Sequence, residues 1–343
     1  MTWGVDAAER GWIPDPLIRW QIRKLCSRRA KRADKGDCEA HQESLRDFIR
    51  QLRQSPIALV PAKANQQHYE VPAEFFRQIL GPHRKYSCCL WTDATNSLSD
   101  AESAALAETC LRADLTDGQD ILELGCGWGS LTLWMAAHFP NSRMTAVSNS
   151  ASQRQLILEL ARQRGLENVT VITADMNAFD PHGRFDRVIS VEMFEHMRNY
   201  ELLLARIAAW LNPGGRLFVH IFSHRDLAYP FECDGDDDWM ARHFFTGGIM
   251  PSEGLLLHFQ RDLYLVDQWR WSGRHYEKTS NAWLINLDSR RADILPILVS
   301  VYGQQEAVRW LHRWRVFFLA CAELFGYRDG EDWGVSHYLF QRR

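Results

Sequence analysis

Ten residues, Asp120-Ile-Leu-Glu-Leu-Gly-Cys-Gly-Trp-Gly129, restrict the fold of this chain more than any other stretch. Ile121, Leu122 and Leu124 form a short apolar run suited to a strand buried on both faces. Glycines at alternate positions, Gly125, Gly127 and Gly129, then let the backbone turn sharply and come close to a ligand. Leu131, Leu133, Trp134 and Phe139 follow at a spacing that fits a helix packed on a sheet. Strand, glycine turn and helix N-terminus together make a seat for a nucleotide-like ligand. Glycine turns also join strands to helices with no ligand at all. The spacing differs from the dinucleotide pattern, whose third glycine comes later, so residues downstream decide between these readings.

From Asp120 to about Ile221 strand and helix patterns alternate. Strands are expected at 120–124, 143–147, 169–173, 185–191 and 215–221, and helices near 128–138, 151–164 and 199–211. Such alternation implies an α/β fold with a parallel sheet covered on both faces. Ligands then bind outside the carboxyl ends of the strands. At the second strand end no acid is available for ribose hydroxyls, which leaves an amide oxygen of Asn149 or Gln153 for that work. At the third, Asp175 offers a carboxylate to an adenine amine with Met176 against the ring, or else Asp175 caps a turn. At the fourth, Val191-Glu-Met-Phe-Glu-His-Met-Arg-Asn-Tyr200 sets Glu192, Glu195 and His196 at i, i+3 and i+4, on one face if 192–196 is a helical turn. Two carboxylates facing one cavity repel, which raises one pKa towards the range a general base needs. Acidic clusters at strand ends also serve as caps and ion pairs. The fifth strand adds His220 and His224 near the same rim, where core histidines are equally at home.

The flanks are helical. Over residues 1 to about 60, Ile18, Ile22 and Leu25 share one face, crowded by Arg19, Arg23, Lys24, Arg28, Arg29, Lys31 and Arg32. Such a helix either lies on an anionic membrane surface or shows a solvated face. Further helices are expected at Gln42–Gln54, from near Pro72, and at 99–112. A strand is expected within 255–272, three helices over 276–326, and a closing strand at 336–340. The expected division is a helical cap with a cofactor-covering loop at 1–98 and a main domain at 99–343, whose helical lid at about 276–326 precedes the last strand. Tyr276, Trp283, Trp310, Trp314, Phe317, Phe318 and Cys321 are candidates for the inner wall of that lid. A net charge of −3 recruits no nucleic acid. No apolar run reaches the ~18 residues of a bilayer span and no signal-peptide pattern is present. The eight cysteines lack zinc spacing, so reduced thiols, a cytoplasmic protein and no metal site are expected.

The chain from about Gln67 onward resembles the cyclopropane-fatty-acid synthase superfamily of S-adenosylmethionine-dependent methyltransferases, and within it the plant coclaurine N-methyltransferases. The resemblance is carried by His68-Tyr-Glu-Val-Pro72, Tyr86-Ser-Cys-Cys89, Glu123-Leu-Gly-Cys-Gly-Trp-Gly129, Ser150-x-x-Gln153, Glu192 to Tyr200, Phe245-Thr-Gly-Gly248, Phe325-Gly-Tyr327 and Ser336-His337. It implies a Rossmann-like class I methyltransferase sheet and S-adenosylmethionine as cofactor. Cofactor contacts would fall at Tyr86, Ser87, Gly125, Gln153, Asp175 and Met176, with Gly127 and Asn149 beside them. It also implies N-methyltransferase catalytic groups at Glu192, Glu195 and His196. In the lipid-modifying branch a bicarbonate ion is the base, and the matching positions here are Cys88, Glu195, His220, Tyr276 and Cys321. This chain departs from that branch at Glu192, where the branch usually has glycine, and at Met197-Arg198. Two reactions follow: N-methylation of a small, aromatic or cyclic amine with a Glu/His base, or methylene transfer to an unsaturated lipid, with Glu195, His220 and Tyr276 holding the base. The sequence leaves the oligomeric state open, a homodimer among the alternatives.

Overall fold

The alternating apolar runs become strands in a computed structural model, which describes residues 3–33, 37–59, 71–231 and 239–343. Strands β1 (Asp120–Leu124), β2 (Arg143–Ser148), β3 (Val169–Thr173), β4 (Phe185–Val191) and β5 (Leu211–His224) run parallel. A short ribbon, β6 (Tyr229–Pro230) with β7 (Ile249–Met250), stands apart from them. The chain returns through β8 (Leu263–Trp271) and β9 (Trp333–Arg342), with β9 antiparallel to both β5 and β8. The sheet order is β3-β2-β1-β4-β5-β9-β8. Connections leave β1 towards opposite edges, so a crevice opens where β1 and β4 end side by side.

The helices are α1 (Trp3–Glu9), α2 (Asp15–Ala33), α3 (Cys38–Gln54), α4 (Ala73–Ile79), α5 (Leu98–Arg112), α6 (Ser130–His138), α7 (Ala151–Gln163), α8 (Tyr200–Trp210), α9 (Trp239–His243), α10 (Gly273–Ser289) and α11 (Arg291–Phe325). Several start where the sequence supplies an oxygen for an unpaired backbone N–H. Ser97, Ser150 and Asn199 accept from the N–H groups of Asp100, Gln153 and Leu202. Helix α11 is broken at Gly303, whose φ of 77° lies in the left-handed region. The region 276–326 is therefore three helical stretches, α10 and the two halves of α11.

The N-terminal helices are fastened to the rest of the chain. Ile18 and Cys26 of α2 enter the same core cluster as Leu311 and Phe318 of α11. Arg19 and Arg23 pair with Glu323 at 2.8 and 2.6 Å, and α3 buries Phe48, Ile49 and Leu52 with Leu203 and Leu204 of α8. Of the apolar stripe of α2, Ile18 is buried, Ile22 and Leu25 are half-buried along a wide cavity, and Leu17 and Trp20 stay exposed. Among the described residues no helix is long and apolar enough to cross a membrane. The segment Gln67 to Glu70, Cys233, the acids from Asp234 to Asp238 and the side chain of Arg32 lie outside the described residues.

Candidate active site

Past Leu124 the backbone turns through Gly125, Gly127 and Gly129 with φ of 80°, 50° and 79°. The N–H groups of Gly125 and Cys126 both donate to the carbonyl of Val147 at 3.0 Å, which ties the turn to β2. A Cβ on Gly125 would lie 2.7 Å from the Met193 side chain, and one on Gly129 2.6 Å from Ile157. One on Gly127 would meet nothing within 4 Å. The outer glycines therefore allow close packing, and the middle one faces open space.

That space is a groove in two parts. One, of about 90 Å³, lies among Gly125, Gly127, Asn149, Gln153, Met176 and Met193. The other, of about 60 Å³, lies among Tyr86, Ser87, Glu123, Gly127, Ser130 and Glu192. Gln153 Oε1 accepts from Ser148 Oγ at 2.5 Å, while its Nε2 is buried with no partner. Ser130 Oγ is likewise buried and unpartnered. Orphaned polar atoms on a groove wall are what a polar ligand would satisfy, so these residues fit a nucleoside–amino acid cofactor. Asp175 stands differently: it is exposed, its carboxylate accepts from the Asn177 N–H at 2.8 Å, and it does not border the groove. The turn role, the other reading of Asp175, is the one its carboxylate fills here.

Both parts of the groove meet at Glu192. The helical turn expected over 192–196 is only a 3₁₀ turn at Phe194–His196, and Glu192 takes a left-handed φ of 48° instead. Such a backbone is uncommon outside glycine and is held only by its surroundings. Here the surroundings are explicit: Glu192 N–H donates to the His220 carbonyl at 2.8 Å. Its Oε1 accepts from the Cys88 N–H at 2.9 Å and lies 3.2 Å from His220 Nε2. Its Oε2 accepts from the Tyr276 hydroxyl at 2.7 Å. The carboxylate also borders a third cavity, of about 60 Å³, with Glu195, His196, Tyr86, Phe245 and Cys321. Phe245 lies parallel to the His196 ring at 5.5 Å.

Charge in this pocket is set by burial. Burial pushes Glu192 up, against the Lys85 ammonium and the Cys88 and Tyr276 donors, which pull it down. Burial, and then repulsion from Glu192, push Glu195 well above the usual carboxylate range. The two titrate as a pair. With its donors Glu192 keeps the charge, and Glu195, whose Oε2 has no partner, keeps the proton. Burial brings His196 down to about 4 against the opposing Glu192 charge, so its ring is neutral near pH 7.

The lid residues divide by helix face. Phe317, Cys321 and Leu324 of α11, with Tyr276 and Trp283 of α10, line the pocket. Trp314 instead packs on Phe75 with ring centroids 4.8 Å apart, Phe318 is fully buried in the same core, and Trp310 stacks on Tyr302 at 4.2 Å. These three are corrections to the expected wall. His224 also leaves the site, since its Nδ1 accepts from the Asp226 and Leu227 N–H groups. Of the five positions matched to bicarbonate, Glu195 and Cys321 border the pocket, and the other three are engaged elsewhere. The backbone N–H of Cys88, His220 and Tyr276 already converge on the Glu192 carboxylate, so an anion held there would face a fixed negative charge.

Some residues of the site escaped sequence reasoning. Lys85 is buried and donates to Ser87 Oγ and the Cys88 carbonyl at 2.5 and 2.7 Å. Met193, Thr246 and Gly247 border the groove, and Phe231, Met240 and Leu324 border the pocket. Lys85 was adjacent to a recognised motif, which was its one signal. Met193, Thr246 and Gly247 lie inside the quoted motifs, whereas Phe231, Met240 and Leu324 come from separate elements that sequence spacing cannot bring together. Phe231, Met240 and Leu324 also border a wide, mostly apolar cavity of about 1050 Å³ between α1, α2, α3 and α11.

Comparison with known proteins extends the motif resemblance. The family model for mycolic acid cyclopropane synthetase matches residues 59–331. The (S)-coclaurine N-methyltransferase of Thalictrum flavum subsp. glaucum is 40% identical over 339 residues, covering 98% of this chain and 94% of that protein. A crystal structure of coclaurine N-methyltransferase bound to N-methylheliamine and SAH (S-adenosylhomocysteine) superposes with a TM-score of 0.95 at 38% identity, covering 98% of both chains. A mycolic acid cyclopropane synthase complexed with SAH superposes with a TM-score of 0.68 at 20% identity, over 82% of this chain and 98% of that one, a likeness of fold.

Proposed function

This chain belongs to the mycolic acid cyclopropane synthetase family, and from that premise we infer that it is an S-adenosylmethionine-dependent methyltransferase acting on the nitrogen of a small, largely apolar amine. The observation that carries this is Glu192, a buried carboxylate bordering the glycine groove and the aromatic pocket at once. Bound S-adenosylmethionine supplies a methyl group made electrophilic by its sulfonium. Asn149, Gln153 and Met176 would hold its nucleoside end, and the glycine turn with Tyr86, Ser87 and Ser130 its amino acid end.

The remaining work belongs to the chain's own side chains. An alkylammonium has a pKa of roughly 10 and no free lone pair. Glu192 attracts that cation into the pocket, and the burial that lowers His196 also lowers the bound ammonium. Neutral His196 then takes the proton, while Glu195 keeps its own. Phe222, Phe245 and Phe325 exclude water and give a cationic ring system aromatic faces to lie against. A pocket of about 60 Å³ holds the amine end alone. The body of the acceptor would extend past Phe231, Met240 and Leu324 into the wide cavity, which points to a multi-ring amine and not to a short alkylamine. Methylene transfer to lipid is disfavoured because three of the groups that would hold a bicarbonate base are already committed to Glu192.

The test is a panel of secondary amines and unsaturated phospholipids with labelled cofactor, read by mass spectrometry for wild type and Glu192→Gln. Methylated amine from the wild type, at least tenfold slower turnover in the variant and unchanged affinity for S-adenosylhomocysteine are expected. Full amine turnover by Glu192→Gln, or label appearing in lipid, would overturn the assignment.

A further inference from the structure

Behind Glu192 two fully buried imidazoles stand in series. His220 on β5 and His337 on β9 are cross-strand partners, each with no exposed surface. His337 Nε2 lies 2.8 Å from His220 Nδ1, and His220 Nε2 lies 3.2 Å from Glu192 Oε1. At the other end Arg112 Nη1, from the last residue of α5, lies 2.6 Å from His337 Nδ1. Trp269 and Trp271 clamp the Arg112 guanidinium, with centroids 5.1 and 5.5 Å away, and Glu108 pairs with its Nε at 2.7 Å.

Elementary donor and acceptor rules give this chain a single direction. A guanidinium only donates, so His337 Nδ1 must accept and carries no proton. Neutral His337 then bears its hydrogen on Nε2 and donates to His220 Nδ1. His220 is left with its hydrogen on Nε2, aimed at Glu192. The opposite tautomer of His220 would set a lone pair against the carboxylate oxygen, two acceptors face to face. Protonating either ring would set donor against donor. Burial, which holds both histidines well below their usual range, agrees with neutral rings.

We propose that Arg112, His337 and His220 form a one-way hydrogen-bond chain in which Arg112, a positioning residue remote from the substrate, fixes the His220 tautomer and thereby holds the Glu192 carboxylate in place. The nitrogen that one side of an imidazole protonates is set by the bond its other side makes. The catalytic consequence rests on the reading of Glu192 given above, whereas the tautomer assignment stands apart from it.

Long-range ¹H–¹⁵N spectra of the full-length wild type should show His220 and His337 both as neutral Nε2–H tautomers from pH 6 to 8. An Nδ1–H form or a charged ring at either position overturns the chain. Arg112→Met, which keeps the stem and removes the donors, should turn His220 into a mixture of tautomers and lower kcat at least tenfold. KM for the amine and affinity for S-adenosylhomocysteine should shift less than threefold. Arg112→Lys restores a donor and should recover kcat to within threefold of wild type. His337→Phe should cost as much as Arg112→Met, and the double variant no more than either alone. Unchanged tautomers in Arg112→Met, or additive losses in the double variant, overturn the proposal. If the tautomers shift but no amine is methylated by wild type, the failure lies in the functional reading and not in the chain.

Discussion

At Glu192 the local backbone and the chemistry work against each other, and the chemistry wins. A left-handed φ of 48° is unfavourable for a side chain with a Cβ, yet it aims the carboxylate at three donors from three separate elements. The same conformation is borne without cost by the glycines of the turn, and they separate into two roles. Gly125→Ala should weaken S-adenosylhomocysteine binding at least tenfold, since its Cβ would press on Met193 at 2.7 Å in a left-handed backbone that alone costs about 1–2 kcal/mol. Gly127→Ala, with no protein atom within 4 Å, would direct its Cβ into the groove itself and should weaken binding at least as much. Calorimetric titration of both variants decides; equal and unperturbed affinities would remove the turn from the cofactor site. Glu192 and Glu195 were both legible as a strand-end pair. Their unequal roles were not, because the donors to Glu192 come from Cys88, His220 and Tyr276, far apart in sequence.

Among the elements, α11 does two jobs on two faces. Trp314 and Phe318 bind it to the core, while Phe317, Cys321 and Leu324 form the pocket wall. Leu324 borders both the pocket and the wide cavity. Leu324→Trp should therefore raise KM at least tenfold for a multi-ring amine and leave a single-ring amine within twofold. Steady-state kinetics on the two substrates make the comparison; equal effects on both would mean the wide cavity takes no part in binding. The break at Gly303 has a different test. Gly303→Ala meets open space, so only the backbone strain of φ 77° with ψ 164° remains, about 1–3 kcal/mol, and the melting temperature should fall by a few degrees. The sequence offered Trp310, Trp314, Phe317 and Phe318 as wall candidates and passed over Phe325, which borders the pocket. Which stripe faces inward depends on what α11 packs against, namely α4 and α2.

Across the molecule, several histidines are buried and held neutral. Burial lowers His196, His224 and His243 to about 4, and holds His220 and His337 well below their usual range. An unfolded chain binds protons at these positions below about 6.5, so each costs stability as pH falls from 6.5 towards 4, on the order of 2 kcal/mol by pH 5 for each of the first three. Glu102 and Glu123, raised by burial to about 7, act oppositely and gain stability as pH falls from 7 to 4.5, as does Glu195. Glu192 and Glu253 are raised by burial too, and His83, His275 and His312 lowered, so the histidines remain in the majority. Below 4.5 the acids stop contributing, and Glu9, which its arginine and tryptophan partners bring down to about 2 despite burial, begins to lose its own stabilisation. The urea midpoint should fall between pH 6.5 and 4.5 and drop more steeply below; a flat profile from 7.5 to 5 would contradict neutral burial. The sequence by itself determined the sheet, the glycine turn and the acidic strand end, because apolar period, glycine placement and strand-end position are local properties. Only the tertiary structure decided that Glu192 is held by distant donors, that Asp175 closes a turn, that α2 packs on α11, and that Arg112 reaches Glu192 through two imidazoles. Those outcomes depend on contacts between elements brought together by burial, and neither periodicity nor spacing records them.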